Sequence, residues 1–168
     1  MNIDELRIGD LFLVDGSGLI SKAIEDVEYG RRKVARRYSH VAGYIGNGQL
    51  IEAEGFRKTG YAPASKYAGC ADVFRCVSLT REQQKQILRL ALWRVGGQYD
   101  YLLLGMEFIR CAFGIVIPYR EPPNARICST LWAVGIYRNI GIDLCPGIRW
   151  PTPKDVAESK LLAKIGSY

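Results

Sequence analysis

The chain has 168 residues, 48% of them hydrophobic, a formal net charge of +6 and five cysteines. That length suits one domain over residues 1–168, with a core large enough to need no disulfide or metal staples. With one histidine, an odd cysteine count and no Cys-x-x-Cys pair, a zinc site is unsupported, no cofactor is expected and the thiols are read as reduced.

The opening Met1-Asn2-Ile3-Asp4-Glu5 is acidic and lacks the apolar segment of a signal peptide. A cytoplasmic location is therefore the default expectation, with delivery by phage or by a signal-independent secretion route as alternatives. A strand is expected over Leu11 to Val14 and a helix over Leu19 to Glu28. Arg31-Arg32-Lys33-Val34-Ala35-Arg36-Arg37 then sets five cations in seven residues. Two readings stand side by side: a solvated loop, or an electrostatic collar for an anionic peptide, lipid or cell-wall substrate. Nucleic acid is not an expected partner, because the patch has no interleaved aromatics and no matching motif accompanies it.

The lone histidine comes next. Tyr38 to Ile45 and Gln49 to Glu54 are β-rich runs separated by Gly46-Asn47-Gly48. A three-residue loop closed by Gly48 in the left-handed region sets Ile45 opposite Gln49, Ala42 opposite Glu52 and His40 opposite Glu54. Side chains alternate along a strand, so His40, Glu52 and Glu54 share one face. A two-residue loop would shift the register and turn both glutamates away.

Cys70 and Cys76 flank a strand expected over Ala71 to Val77 and are read as small core residues. Thr80 and Gln83 form a capping box for a helix whose apolar stripe is Ile87, Leu90, Ala91 and Val95. A helix over Asp100 to Arg110 follows, with Asp100 read as a turn or capping residue. The apolar stretch from Tyr101 to Pro118 is broken by Glu107 and Arg110, so it is not a transmembrane segment. It is read as a buried helix followed by a strand-like Gly114-Ile115-Val116-Ile117, or else as an apolar wall or lid near the site. Thr152-Pro153 starts a last short helix.

Cys128 stands where a Pro-rich loop gives way to a helix with apolar residues at helical spacing. A cysteine in a first helical turn feels the positive end of the dipole, and the amides of that turn can receive an oxyanion. Cys128, His40 and a glutamate together supply a nucleophile, a base and an orienting acid. Glu52 and Glu54 both remain candidates for the acid.

The segment His40 to Ala53 resembles the histidine hairpin of NlpC-type cell-wall peptidases, in which a polar catalytic residue often stands where Glu52 does. The order here, histidine before cysteine, resembles the circularly permuted papain-like amidases of the YaeF/YiiX kind. Gly9-Asp10-Leu11, Gly97-Gln98-Tyr99-Asp100-Tyr101, Cys128-Ser129 and Thr152-Pro153-Lys154-Asp155 appear in the order that resemblance requires. Two positions depart from it: Thr130 stands where glutamate is common, and Ile127 where an aromatic often precedes the cysteine. The resemblance implies an α+β papain-like fold with an antiparallel sheet packed against helices. It also implies a cysteine hydrolase acting through Cys128, His40 and Glu52, first of all an amidase or peptidase on cell-wall-type peptides. A lipid acyl hydrolase or acyltransferase on an anionic lipid is the alternative, and a non-catalytic binding module is the third reading.

Overall fold

The computed structural model describes residues 1–16, 37–115, 117–120, 122 and 124–168. The expected helix over Leu19 to Glu28 and the collar residues Arg31, Arg32, Lys33 and Arg36 lie outside the described residues; Arg37 is described and half-buried.

In chain order the strands are β1 (Leu11–Val14), β2 (His40–Gly46), β3 (Gln49–Glu52), β4 (Gly60–Pro63), β5 (Ala71–Cys76), β6 (Gln98–Tyr99), β7 (Ala125–Arg126) and β8 (Leu162–Ser167). The helices are α1 (Arg81–Trp93), α2 (Tyr101–Phe113), α3 (Cys128–Trp132) and α4 (Pro153–Ala157). Six strands form one antiparallel sheet in the order β4-β3-β2-β1-β5-β8, while β6 and β7 pair in parallel. The expected α+β architecture, an antiparallel sheet packed against helices, is the one observed.

The unbroken apolar run Leu-Phe-Leu-Val marks β1 as a strand covered on both faces, and it lies between β2 and β5. Leu11 and Leu13 enter a core shared with Ile87, Leu131, Trp132, Ile136 and Tyr137; Phe12 and Val14 enter a second one with Tyr44, Leu50 and Tyr67. Edge strand β8 was not expected, because Leu-Ala-Lys-Ile-Gly-Ser has no clear alternation and is half exposed.

The hairpin keeps the expected register by an unexpected route. Ala42 pairs with Glu52 and Tyr44 with Leu50, but Gly46, not Ile45, faces Gln49 across a bulge. The loop is the two residues Asn47 and Gly48, with φ of +51° and +72°, which is the Asn-Gly signature of a type I′ turn. The bulge inserts one residue on β2. It cancels the shift that a two-residue loop would otherwise impose.

Two helices start on the capping boxes at Thr80/Gln83 and Thr152/Asp155. Val95, assigned to the stripe of α1, lies beyond its end and is partly exposed. Asp100 caps α2, accepting from the Leu103 N–H at 2.9 Å, and the helix runs a turn beyond Arg110 to Gly114 in the left-handed region. Reading Tyr101 to Pro118 as interior is incorrect. Leu103, Met106 and Glu107 turn inward, Leu102, Phe108 and Phe113 are exposed, and Ile115 and Ile117 are exposed outside any strand. Helical periodicity shows that such a segment has faces, not which of them the sheet covers. The wall reading fits better. Cys76 is buried as expected, while Cys70 is only half-buried at the edge of the second core.

Candidate active site

Helix α3 continues into a π-helical turn (Ala133–Tyr137) and a 3-10 turn (Arg138–Ile140), giving one helical stretch against the sheet. Its position is set by Trp132, which is fully buried and donates its indole N–H to the Ile51 carbonyl at 3.0 Å. Ile51 pairs with Gly43 on β2. A Cβ on Gly43 would sit 2.1 Å from the Trp132 ring, so only glycine lets the ring lie on the strand. The start of the helix is thereby held beside the start of β2.

Cys128 is the first residue of α3 and is buried. His40 is the first residue of β2, with 16% of its side chain exposed. The imidazole bonds through Nε2 to Glu52 Oε2 at 3.0 Å, and Cys128 lies close enough to act on its charge. With Nε2 engaged by Glu52, Nδ1 is the nitrogen left for the thiol. Burial alone would lower the His40 pKa. The charge and hydrogen bond of Cys128, followed by those of Glu52, outweigh it and lift His40 to about 10.

Glu52 is buried on the last residue of β3. Besides His40 it accepts from Lys66 Nζ at 2.5 Å and from the Tyr67 hydroxyl. Burial pushes its pKa up, but His40, then Lys66 and Tyr67, bring it down to about 2. The Tyr67 phenol is held well above its usual range, by burial first and then by the Glu52 charge, so it remains a donor. Glu54 lies beyond the end of β3, more exposed, and pairs with Lys66 at 3.0 Å and Arg57 at 3.5 Å. Of the two carboxylates, Glu52 is the one bonded to His40.

Three neighbours were not singled out from sequence. Lys66 and Tyr67 arrive on a 3-10 turn over Ala64–Tyr67 that follows β4, and no motif marks them. Tyr99, on β6 beside β7, packs in the cluster that holds Ile127, the residue before Cys128, and its phenol is raised by burial and then by the charge of Cys128. The Gly97-Gln98-Tyr99-Asp100-Tyr101 segment was the available signal.

Among the described residues no group of three or more His, Cys, Asp and Glu side chains is arranged to hold a metal ion. The Glu52 oxygens are committed to Lys66, Tyr67 and His40, a cationic surrounding that does not suit a metal ligand. No described helix is long and apolar enough to cross a membrane.

No protein family matches the sequence, and no curated protein is significantly similar to it. The structure is similar to the crystal structure of the metalloprotein YiiX from Escherichia coli O157:H7, with a TM-score of 0.54 and 16% identity over 96% of this chain and 97% of that one. The chain therefore has the fold of YiiX over almost its whole length.

Proposed function

We propose that this chain is a papain-like thiol hydrolase, with Cys128 as nucleophile, His40 as base and acid, and Glu52 as the orienting carboxylate. The observation that carries the reading is the Glu52–His40–Cys128 line: a lone imidazole between a buried carboxylate and a thiol at a helix start. The raised His40 favours the imidazolium, the form that can protonate a leaving group.

In this mechanism the Cys128 thiolate adds to a carbonyl carbon. The oxyanion is received by backbone N–H groups that the first turn of α3 leaves without intrahelical acceptors. The Tyr99 phenol, kept protonated by its raised pKa, is a further donor. Collapse of the adduct breaks the bond to the amine or alcohol, which leaves with the proton from His40. Water, deprotonated by His40, then releases the acyl group and restores the thiol. Glu52 holds the tautomer and offsets the imidazolium charge.

Cell-wall-type peptides are the first substrate class, on the resemblance to NlpC-type and YaeF/YiiX-type sequences. An anionic lipid acyl group is the second, favoured by the exposed apolar side of α2 beside the cysteine segment. The five cations of residues 31–37 support an anionic substrate in either case. Two measurements test the reading. Iodoacetamide at neutral pH should label Cys128 before the other thiols; Cys145 is a poor competitor because burial, then Asp155 and Asp143, push its pKa up to about 12. Purified protein incubated with peptidoglycan fragments and with phospholipids, followed by mass detection of products, should show turnover that Cys128→Ala abolishes. Fastest labelling elsewhere, together with an active Cys128→Ala, refutes the assignment.

A further inference from the structure

Helix α2 is apolar on its outer side as well as its inner one. Its acidic residue, Glu107, is buried and bonded to Arg110 at 2.6 Å, and Arg110 reaches back towards Asp155. Every exposed residue of the helix is uncharged: Tyr101, Leu102, Gly105, Phe108, Ala112 and Phe113. Leu102 is 63% and Phe113 72% exposed, and the apolar surface continues past the C-cap through Ile115 at 55%. At the other end it meets Phe56, 84% exposed and held at φ +66°. A bulky side chain seldom adopts that backbone; here the Phe56 N–H is bonded to the Tyr101 hydroxyl and the two rings are 5.9 Å apart. Isolated apolar residues on a surface need no explanation, whereas a contiguous face of this kind marks a contact.

The face is continuous with the candidate site. Leu103, on the inward side of α2, packs with Ile127, the residue before Cys128, and with Tyr99. Tyr99 in turn packs against Tyr101 with the rings tilted, centroids 5.0 Å apart. Cations stand at both ends of the face. Arg57, 70% exposed and reaching Glu54 only at 3.5 Å, follows Phe56, and Arg149 lies against the Trp150 ring beside a cavity of about 440 Å³ shared with Arg110, Pro118 and Ile148. Arg149 forms no ion pair among the described residues.

We propose that this face of α2, with Phe56 and Ile115, docks on an anionic lipid surface and presents the Cys128 segment to it. Charge selects this occupant. A second copy would bring another +6 and a second set of rim arginines against the first, whereas an anionic bilayer accepts both the apolar face and the cations around it. Length selects the geometry. Thirteen residues extend about 20 Å at 1.5 Å per residue, short of a hydrocarbon layer of about 30 Å. The helix therefore lies along the interface. Docking does not depend on the thiol chemistry, so its failure leaves the proposed hydrolase intact, and the reverse also holds.

The test uses Cys128→Ala protein in co-sedimentation with vesicles of phosphatidylcholine alone and of phosphatidylcholine mixed with phosphatidylglycerol. Binding should favour the anionic vesicles and persist in part at about 1 M salt, where the screening length is about 3 Å. Leu102→Glu and Phe113→Glu, both at exposed positions, should each weaken partitioning by about tenfold or more with circular dichroism unchanged. Val77→Glu, at another exposed apolar residue outside the face, should bind like the parent. Absence of vesicle binding overturns the proposal. So does binding that both glutamate variants retain, or a concentration-dependent self-association that both abolish.

Discussion

Because His40 is the only histidine, its titration reads the candidate site directly, and Glu52→Gln is the informative perturbation. The rise of His40 from 6.5 to about 10 corresponds to roughly 5 kcal/mol in favour of imidazolium, at about 1.4 kcal/mol per pH unit. Burial opposes that rise, and Cys128 ranks ahead of Glu52 among the groups that produce it. Glu52 therefore supplies the smaller share of what lifts the imidazole, and Cys128 the larger. Following the imidazole proton resonances against pH should show a midpoint near 10 in the wild type. The midpoint should be lower in Glu52→Gln and lower still in Cys128→Ala. Stability should follow the same charges. Glu52, depressed from 4.5 to about 2, contributes stability present above pH 4.5 and lost as pH falls through 2. His40, raised, contributes stability present below pH 6.5 and lost as pH rises through about 10. The penalty of Glu52→Gln, about 2 kcal/mol in denaturant unfolding, should thus be full between those windows and shrink on either side. A wild-type midpoint near 6.5, or an unchanged midpoint in Glu52→Gln, would refute the reasoning.

Tyr67→Phe removes a hydroxyl bonded to the buried Glu52 carboxylate; the variant should lose about 1–2 kcal/mol of stability and alkylate more slowly at Cys128, with Lys66 still neutralising the acid. Equal alkylation rates would reduce Tyr67 to packing. Gly43→Ala should destabilise the fold by about 3 kcal/mol or more, because the new methyl meets the Trp132 ring at 2.1 Å. Near-wild-type thermal unfolding of that variant would show that α3 does not depend on this contact.

What the sequence determined by itself is short-range. The Asn47-Gly48 turn, the capping boxes at Thr80 and Thr152, the Asp100 cap and the helix start at Cys128 are set by residues within a few positions of one another. Those local energies do not need the rest of the chain. The pairing of Ala42 with Glu52 was expected from a three-residue loop; the two-residue turn that forms would alone have shifted it, and a bulge that the sequence does not mark restores it. Tertiary structure decided the rest. Glu52 rather than Glu54 meets His40 because β3 ends there and because Lys66 and Tyr67, brought by a turn with no motif, hold that carboxylate. The side of α2 that faces water was equally unreadable, since periodicity defines a helix's faces and only long-range packing chooses between them. Here the sheet and the cysteine segment cover the side carrying Leu103 and Glu107, which leaves Leu102, Phe108 and Phe113 outside.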